Sequence, residues 1–247
     1  MTHGGKWNKN IVISKIKKLH IKLKRRPVKR DYPNLYRQSR IYFETWNKAM
    51  KAAGYKIKHP QNITIPKISN DLFYFIGLLI TDGHLQYSIN QRNYKVAIST
   101  SYEEEKYMIL KLIKILFGYK AGMRKRKYGW NVRPNYEIFI SSKKLVEFFN
   151  QKFNIPTGSK SKIVRVPKIL FKKSKRIISN FLRGVIDGDG SIIVKNHEIR
   201  ISSGSYNFLK DIEKLFSKLT IKTNKITEKK NNVYELNMFN LNNALIF

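Results

Sequence analysis

The sequence predicts an α+β protein of two similar halves, each running helix, strand, strand, helix, strand, strand, helix, behind a small all-α domain. Three observations predict it. The first sixty residues hold three stretches of helical apolar spacing. From residue 68 onward the chain repeats one order of helical and alternating segments. In each copy an apolar helix closes on an Asp-Gly step, at Asp82-Gly83 and again at Asp189-Gly190.

The N-terminal elements come first. Ile11, Ile13, Ile16, Leu19 and Leu23 fall at helical spacing, and Lys24-Arg25-Arg26-Pro27 stops the pattern. A second helix carries Tyr36, Ile41, Tyr42 and Phe43. A third holds Trp46, Ala49, Met50 and Ala53, with Gly54 placed as a C-cap glycine would be. These helices make residues 1–60 one module, and the two prolines of His59–Pro66 mark a linker after it.

The repeat occupies the rest. Ile68–Thr81 and Lys175–Gly188 are the two apolar helices. Each precedes a short hairpin, Leu85–Asn90 with Lys95–Thr100 and Ser191–Lys195 with Glu198–Ser202. A helix opening Ser-Tyr follows, at Ser101-Tyr102 with Lys106 and at Ser205-Tyr206 with Lys210. A second hairpin comes next, Tyr119–Ser142 and Ile221–Phe239, the latter turning at Asn231-Asn232. The spacings agree: 107 residues separate Asp82 from Asp189, and 104 separate Ser101 from Ser205. A last helix, Lys143–Phe153, has only the short Leu241–Phe247 as its counterpart. The domain bounds read from this are 67–155 for the first half, 156–174 for a connecting segment and 175–247 for the second half.

Composition narrows the function. The 247 residues include 50 Lys+Arg against 16 Asp+Glu, a net charge of +34, and the first sixty residues hold 17 of the bases against only Asp31 and Glu44. Such a surplus is hard to keep compact without a polyanion, and nucleic acid is the commonest one. A Lys-rich surface from an AT-rich genome is the plainer explanation, but it does not account for so few acids. With 42% hydrophobic residues, 14 Tyr and 14 Phe, the chain has enough apolar material for packed cores. The lack of cysteine excludes disulfides and thiolate zinc sites. No apolar run approaches the ~18 residues of a membrane span, and Met1–Lys6 lacks the apolar core of a signal peptide. A protein without membrane association, intracellular and cytoplasmic (an organelle being compatible), is therefore expected.

The chemistry follows from the two helix ends. Gly77 and Thr81 are four apart, as are Gly184 and Gly188, so each helix presents small residues on one face and two such faces can approach closely. Leu78, Leu79, Leu182, Val185 and Ile186 are expected around the seam. Packing of that kind brings two C-termini together, each with a carboxylate and each already carrying partial negative charge. Convergence is costly unless a cation sits there. Asp oxygens and backbone carbonyls are hard ligands, so Mg²⁺ is the expected ion. A lone Asp-Gly after a helix is usually a cap and turn. Two of them, each heading the same hairpin and helix, are hard to attribute to coincidence.

Phe75-Ile76-Gly77-Leu78-Leu79-Ile80-Thr81-Asp82-Gly83 and Leu182-Arg183-Gly184-Val185-Ile186-Asp187-Gly188-Asp189-Gly190 resemble the paired motifs of LAGLIDADG homing endonucleases. The second copy keeps the earlier acid of the pattern as Asp187, and the first has Ile80 there. The resemblance covers roughly residues 68–247. It implies a monomer with pseudo-twofold αββαββα halves whose strands form a β-saddle, and two or more divalent ions. Asp82 and Asp189 would bind these through their side chains, and Thr81 and Gly188 through backbone carbonyls. It also implies a basic residue near each metal site, downstream of each half's last helix. In the first half Lys160 or Lys162 fills that place and would stabilise charge at the phosphate. In the second half Phe247 comes before any equivalent, and Lys225 or Lys195 would have to substitute. Residues 6–55, through Trp7, Arg26-Pro27, Leu35-Tyr36, Trp46-Asn47-Lys48-Ala49 and Ala53-Gly54, resemble the homing-endonuclease-associated repeat, which implies DNA contacts at Arg25, Arg26, Lys29 and Arg30.

The hairpins supply the expected reading surface on double-stranded DNA. Candidates in the first half are Gln86, Ser88, Asn90, Arg92, Lys95, Arg124, Lys125, Arg126, Lys127 and Tyr128. Those in the second are Lys195, Arg200, Lys222, Lys225, Lys229 and Lys230, with Ser191, Ile193 and Lys195 expected on one strand face. The expected activity is site-specific, Mg²⁺-dependent cleavage of both strands with a short stagger, as in intron homing. The rivals are an intron maturase gripping structured RNA, a non-cleaving DNA binder on the same fold, and a ribosome-associated basic protein. Both motif acids are retained, which favours the enzyme. Protein splicing is not expected, since there is no Cys and the chain closes on Ile246-Phe247 rather than His-Asn.

Overall fold

The computed structural model describes residues 7–56, 62–126, 134–196 and 198–239. The chain divides into two compact units, Met1–Pro60 and Gln61–Phe247.

In the first unit α1 (Lys9–Leu23), α2 (Pro33–Phe43) and α3 (Trp46–Ala52) close around Val12, Ile16, Leu35, Trp46, Ala49, Met50 and Ala53. Asn8 caps α1 by accepting from the Ile11 N–H, and Lys24 ends it in the left-handed region at φ 50°. Thr45 caps α3, and Gly54 follows that helix at φ +89°, a conformation that favours glycine. The buried stripe of α1 runs through Val12 and Ile16, one residue off the expected Ile11. Ile41, expected to belong to the helix's apolar set, is 63% exposed, because α2 turns Leu35 and Ser39 inward instead.

The second unit contains the repeat. In its first half α4 (Asn70–Thr81) is followed by β1 (Gly83–Ser88), β2 (Asn93–Thr100), α5 (Glu103–Phe117), β3 (Gly122–Arg126), β4 (Asn135–Ser141) and α6 (Lys143–Glu147). A π-helical turn, Phe148–Lys152, extends α6. In its second half α7 (Lys175–Asp189) is followed by β5 (Gly190–Ile193), β6 (Glu198–Ser203), α8 (Tyr206–Lys218), β7 (Thr227–Lys229) and β8 (Val233–Phe239). The sheets are antiparallel with the same order, β1-β2-β4-β3 and β5-β6-β8-β7. The counterpart of the first half's last helix, Leu241–Phe247, lies outside the described residues.

Strand alternation decides the two faces of each sheet. Leu85, Val96, Ile98, Ile138 and Ile140 turn inward in the first sheet, as do Ile199, Ile201, Leu236 and Met238 in the second. All join the core around α4 and α7, with Leu78, Leu79, Leu182, Val185 and Ile186 buried there as expected. The opposite faces carry His84, Gln86, Ser88, Lys95, Arg124 and Glu137 in one sheet. In the other they carry Ser191, Glu198, Arg200, Lys229, Glu235 and Asn237.

The halves differ in detail. Ser205 caps α8 by accepting from the Phe208 N–H, whereas the helix after Ser101 starts without a side-chain cap. Lys195 does not share the strand face of Ser191 and Ile193. β5 ends at Ile193, and Lys195 lies in a 3-10 turn of the shorter hairpin.

Candidate metal centre and nucleic-acid interface

Helices α4 and α7 touch more extensively than any other pair of described elements. The reason is in their small residues. A Cβ on Gly77 would stand 2.5 Å from the Phe181 carbonyl oxygen and 2.9 Å from the Gly184 backbone. One turn on, a Cβ on Gly188 would meet Thr81 Oγ1 at 2.0 Å and Asp82 Oδ2 at 2.8 Å. Gly77 has no room for a side chain against the facing backbone, and Gly188 has none beside the Thr81 side chain, so the helices pack closely and their C-terminal ends are delivered side by side. Thr81 is accommodated because its hydroxyl bonds back to the Gly77 and Leu78 carbonyls, both at 3.1 Å. Asp187, the earlier acid of the second motif, lies beside the seam and accepts from Tyr74 Oη at 2.7 Å. The Arg183 guanidinium stacks over that tyrosine ring at 4.3 Å.

Asp82 caps α4. Its N–H donates to the Leu78 carbonyl at 3.0 Å, and its own carbonyl accepts from the Ser99 N–H at 3.1 Å, which ties the helix end to β2. Asp189 is the last residue of α7, and Gly190 continues into β5. Burial, then the nearby Asp189 charge, then Glu105 push the Asp82 carboxyl up to about 6, against the pull of Lys160. Burial also raises Asp189, although one side of it remains open to solvent, and Lys160 opposes that shift.

Of the two candidate lysines, Lys160 reaches this place and Lys162 is exposed. The Lys160 ammonium donates to the Ile80 carbonyl and, at 2.9 Å, to the Thr81 carbonyl. Burial lowers its pKa, while Asp189 and Asp82 hold it up. The backbone explains the reach. Gly158 N–H bonds to Leu85 O at 2.9 Å, and Thr157 bridges in parallel to Leu85 at the open edge of β1. Downstream, Val164 O accepts from Ser205 Oγ at 2.9 Å, and Arg165 forks onto Asp211 at 2.6 and 2.9 Å. The connecting segment is thus pinned to both halves, with Lys160 between the pins. A cavity of about 300 Å³ opens beside it, lined by Thr81, Lys160, Ser161, Asp189, Ser202 and Ser203 among others.

The donor set fits a hard divalent cation: two Asp carboxylates and the carbonyls of a helix end. Among the described residues no group of three or more His, Cys, Asp or Glu assembles for a metal, so water and phosphate oxygens would complete the coordination.

Of the expected DNA-reading residues, Gln86, Ser88, Lys95, Arg124, Arg200 and Lys229 lie on the outer sheet faces. Gln86 and Ser88 line a cavity of about 630 Å³ with His84, Lys95 and Glu137. Lys95 itself corrects the expectation of a free DNA contact. It is 8% exposed, with its Nζ 2.5 Å from Glu137 Oε1, because a buried carboxylate must have a partner. His84 Nε2 lies 3.8 Å from the same oxygen. Arg124 stacks on Phe139 at 5.0 Å, and Lys125 lies over Tyr136 at 5.8 Å. The backbone of Arg126 pairs with Asn135. Lys127 and Tyr128 lie outside the described residues. Asn90 and Arg92 are exposed in the β1–β2 turn. In the second sheet Arg200 binds Glu198 at 3.2 Å and faces Glu235 at 3.8 Å, and Lys229 holds Glu235 at 3.1 Å. Lys195, Lys222, Lys225 and Lys230 are exposed outside the strands.

Sequence reasoning passed over Glu137 and Glu235. The register makes them equivalents, each opposite a serine, Ser99 and Ser202, of the strand next to it. The signal was present: Tyr136-Glu137-Ile138 and Tyr234-Glu235-Leu236 repeat one pattern in the fourth strand of each half. In the N-terminal unit Arg25 forks onto Asp31 with both bonds at 2.8 Å, and Arg26 donates to Lys56 O at 3.0 Å. Arg26, Lys29 and Arg30 rim a cavity of about 590 Å³ over Trp46.

Two four-stranded sheets flanking a glycine-seamed helix pair, each helix ending in an Asp, identify the fold, and the sequence comparison agrees. Residues 69–154 and 176–247 match the model of the LAGLIDADG-like domain. The chain belongs to that family. Residues 7–56 match the homing endonuclease associated repeat. The LAGLIDADG chain is 30% identical over 149 residues to a probable translation initiation factor IF-2 of Thermococcus kodakarensis, covering 60% of this chain and 12% of that protein. It is 30% identical over 164 residues to the DNA-directed RNA polymerase subunit Rpo1C of Methanocaldococcus jannaschii, covering 66% and 17%. A DNA polymerase of Thermococcus hydrothermalis matches at 27% over 176 residues, covering 70% and 10%. The chain therefore spans 10–17% of the length of these relatives. Among solved structures, I-DmoI in complex with DNA and Mn aligns with a TM-score of 0.55 at 23% identity, over 72% of this chain and 94% of that one. Mesophilic variants of the homing endonuclease I-DmoI align at 0.55 and 21%, over 72% and 92%. The LAGLIDADG fold, two pseudo-twofold halves forming a β-saddle, is thereby established for residues of the second unit.

Proposed function

We propose that the protein is a site-specific endonuclease of double-stranded DNA, dependent on Mg²⁺, that leaves a short staggered cut. The observation that supports this best is the placement of Asp82 and Asp189 at the neighbouring ends of two helices whose glycines let the backbones meet. Asp82 and Asp189 would hold divalent ions, with the Thr81 and Gly188 carbonyls beside them. When bound, such ions supply an activated water and neutralise charge at the attacked phosphate.

The protein's own groups do the rest. The helix pair fixes the separation of the two acids, so that each serves one strand. Lys160 brings positive charge to the first acid's side of the site. The outer sheet faces hold the duplex, Gln86, Ser88, Arg124 and Arg200 facing base edges while the exposed lysines neutralise phosphate. One chain carries both acids, so it acts as a monomer. The first unit, with Arg26, Lys29 and Arg30 on its cavity rim, adds a second grip on DNA. A segment of this kind recurring as a small part of proteins with unrelated names fits an element that travels independently of its neighbours.

The test is a cleavage-site selection from a randomised duplex library with Mg²⁺ and then with chelator. A discrete cut site lost on chelation supports the reading. Binding without cutting, or preference for structured RNA at equal salt, would assign the fold to a binder or a maturase instead.

A further inference from the structure

The Lys160 side chain occupies ground that the divalent reading reserves for an ion. Its Nζ donates to the Ile80 and Thr81 carbonyls, and both motif carboxylates act on its charge. An ammonium has three donors, and these two bonds use two of them on carbonyls of the last turn of α4, where the helix itself supplies no N–H. The lysine is pinned rather than loose. Gly158 on Leu85 holds the chain before it, and Val164 on Ser205 holds it after. Without a positive charge here, two carboxylates and two helix C-termini would face one another uncompensated.

We propose that Lys160 is the resident counter-cation of the paired helix ends, supplying their positive charge in the ion-free protein and competing with a divalent ion for the Thr81 carbonyl. This rests on the reading of Asp82 and Asp189 as divalent ligands. The role differs from stabilising charge on a reacting phosphate, because it acts before any DNA is bound. It carries two consequences. Removing the lysine should weaken the ion-free fold, and it should strengthen ion binding by removing both a competitor and a like charge.

Calcium titration of the full chain by calorimetry, with thermal unfolding in chelator and in saturating Ca²⁺, tests both without measuring cleavage. Lys160→Met is expected to bind Ca²⁺ on the order of tenfold tighter than the wild type. It should melt lower in chelator, with most of the deficit recovered in Ca²⁺. Lys160→Gln, which keeps a donor for the carbonyls but no charge, should show the same tightening with a smaller stability loss, and it serves if the Met variant fails to fold. Calcium affinity unchanged or weakened in both variants, with the wild type binding normally, overturns this inference alone. Absence of Ca²⁺ binding in the wild type and both variants removes the divalent reading itself, and this inference with it.

Discussion

Gly184 lies directly against Tyr74: a Cβ added to the glycine would stand 2.2 Å from the tyrosine's carbonyl oxygen. Backbone cannot yield as a flexible side chain can, so the two helices would have to separate. Gly184→Ala is expected to cost about 3 kcal/mol, at or above the usual range for overpacking. It should also abolish cleavage by spreading Asp82 from Asp189. Chemical denaturation and a cleavage assay on the same preparation check this. A variant as stable and active as the wild type would contradict the seam.

Asp82→Asn should lower cleavage by a hundredfold or more, because the amide oxygen is a poorer ligand for a hard ion. Duplex affinity should stay within a few-fold, since the carboxylate is a small part of the contact surface. Gel-shift and cleavage rates on the selected site separate the two. Normal cleavage by this variant would remove Asp82 from the mechanism.

The same variant makes a pH prediction. Folded Asp82 titrates at about 6 against an ordinary 3.8, so between those values the native state holds the proton and the unfolded chain does not. The group's contribution to stability is therefore lost as pH rises through that window. Burial drives the shift first, with the Asp189 and Glu105 charges adding to it and Lys160 opposing it. In chelator, the melting temperature of Asp82→Asn minus that of the wild type should grow more positive from pH 4 to pH 7. A difference that is flat or falls with pH would show that the carboxylate is not destabilised by its surroundings.

Lys95 and Gln86 should separate stability from recognition. Lys95→Ala leaves Glu137 nearly buried without its closest cation and should cost about 3 kcal/mol. The paired change Lys95→Met with Glu137→Leu should recover most of that. Gln86→Ala, on the same face but free of the ion pair, should change stability by no more than about 0.5 kcal/mol while weakening duplex binding. Equal stability losses for Lys95→Ala and Gln86→Ala would defeat the distinction.

Tyr74→Phe removes the hydrogen bond that joins the first motif helix to Asp187. The acid is exposed and can turn to water, so the expected loss is about 1 kcal/mol, with cleavage retained. Loss of cleavage at full stability would give Asp187 a part in the chemistry.

The sequence alone determined the repeat, the helix ends and the two acids. Gly77 with Thr81 and Gly184 with Gly188 are local spacings, and local spacing is what a helix turns into a face. Alternation likewise decided which residues of Val96–Ile98 and Ile199–Ile201 face inward. Tertiary structure decided the rest, because it depends on which distant groups meet. Only the path from Leu85 across to Ser205 selects Lys160 over Lys162, two lysines that look alike in sequence. Only the pairing of β2 with β4 sets Glu137 beside Lys95 and turns an expected DNA contact into a buried ion pair. A side chain's charge can be read from its letter; its partner is supplied by residues far along the chain, and that partner decides whether the charge faces the solvent or the interior.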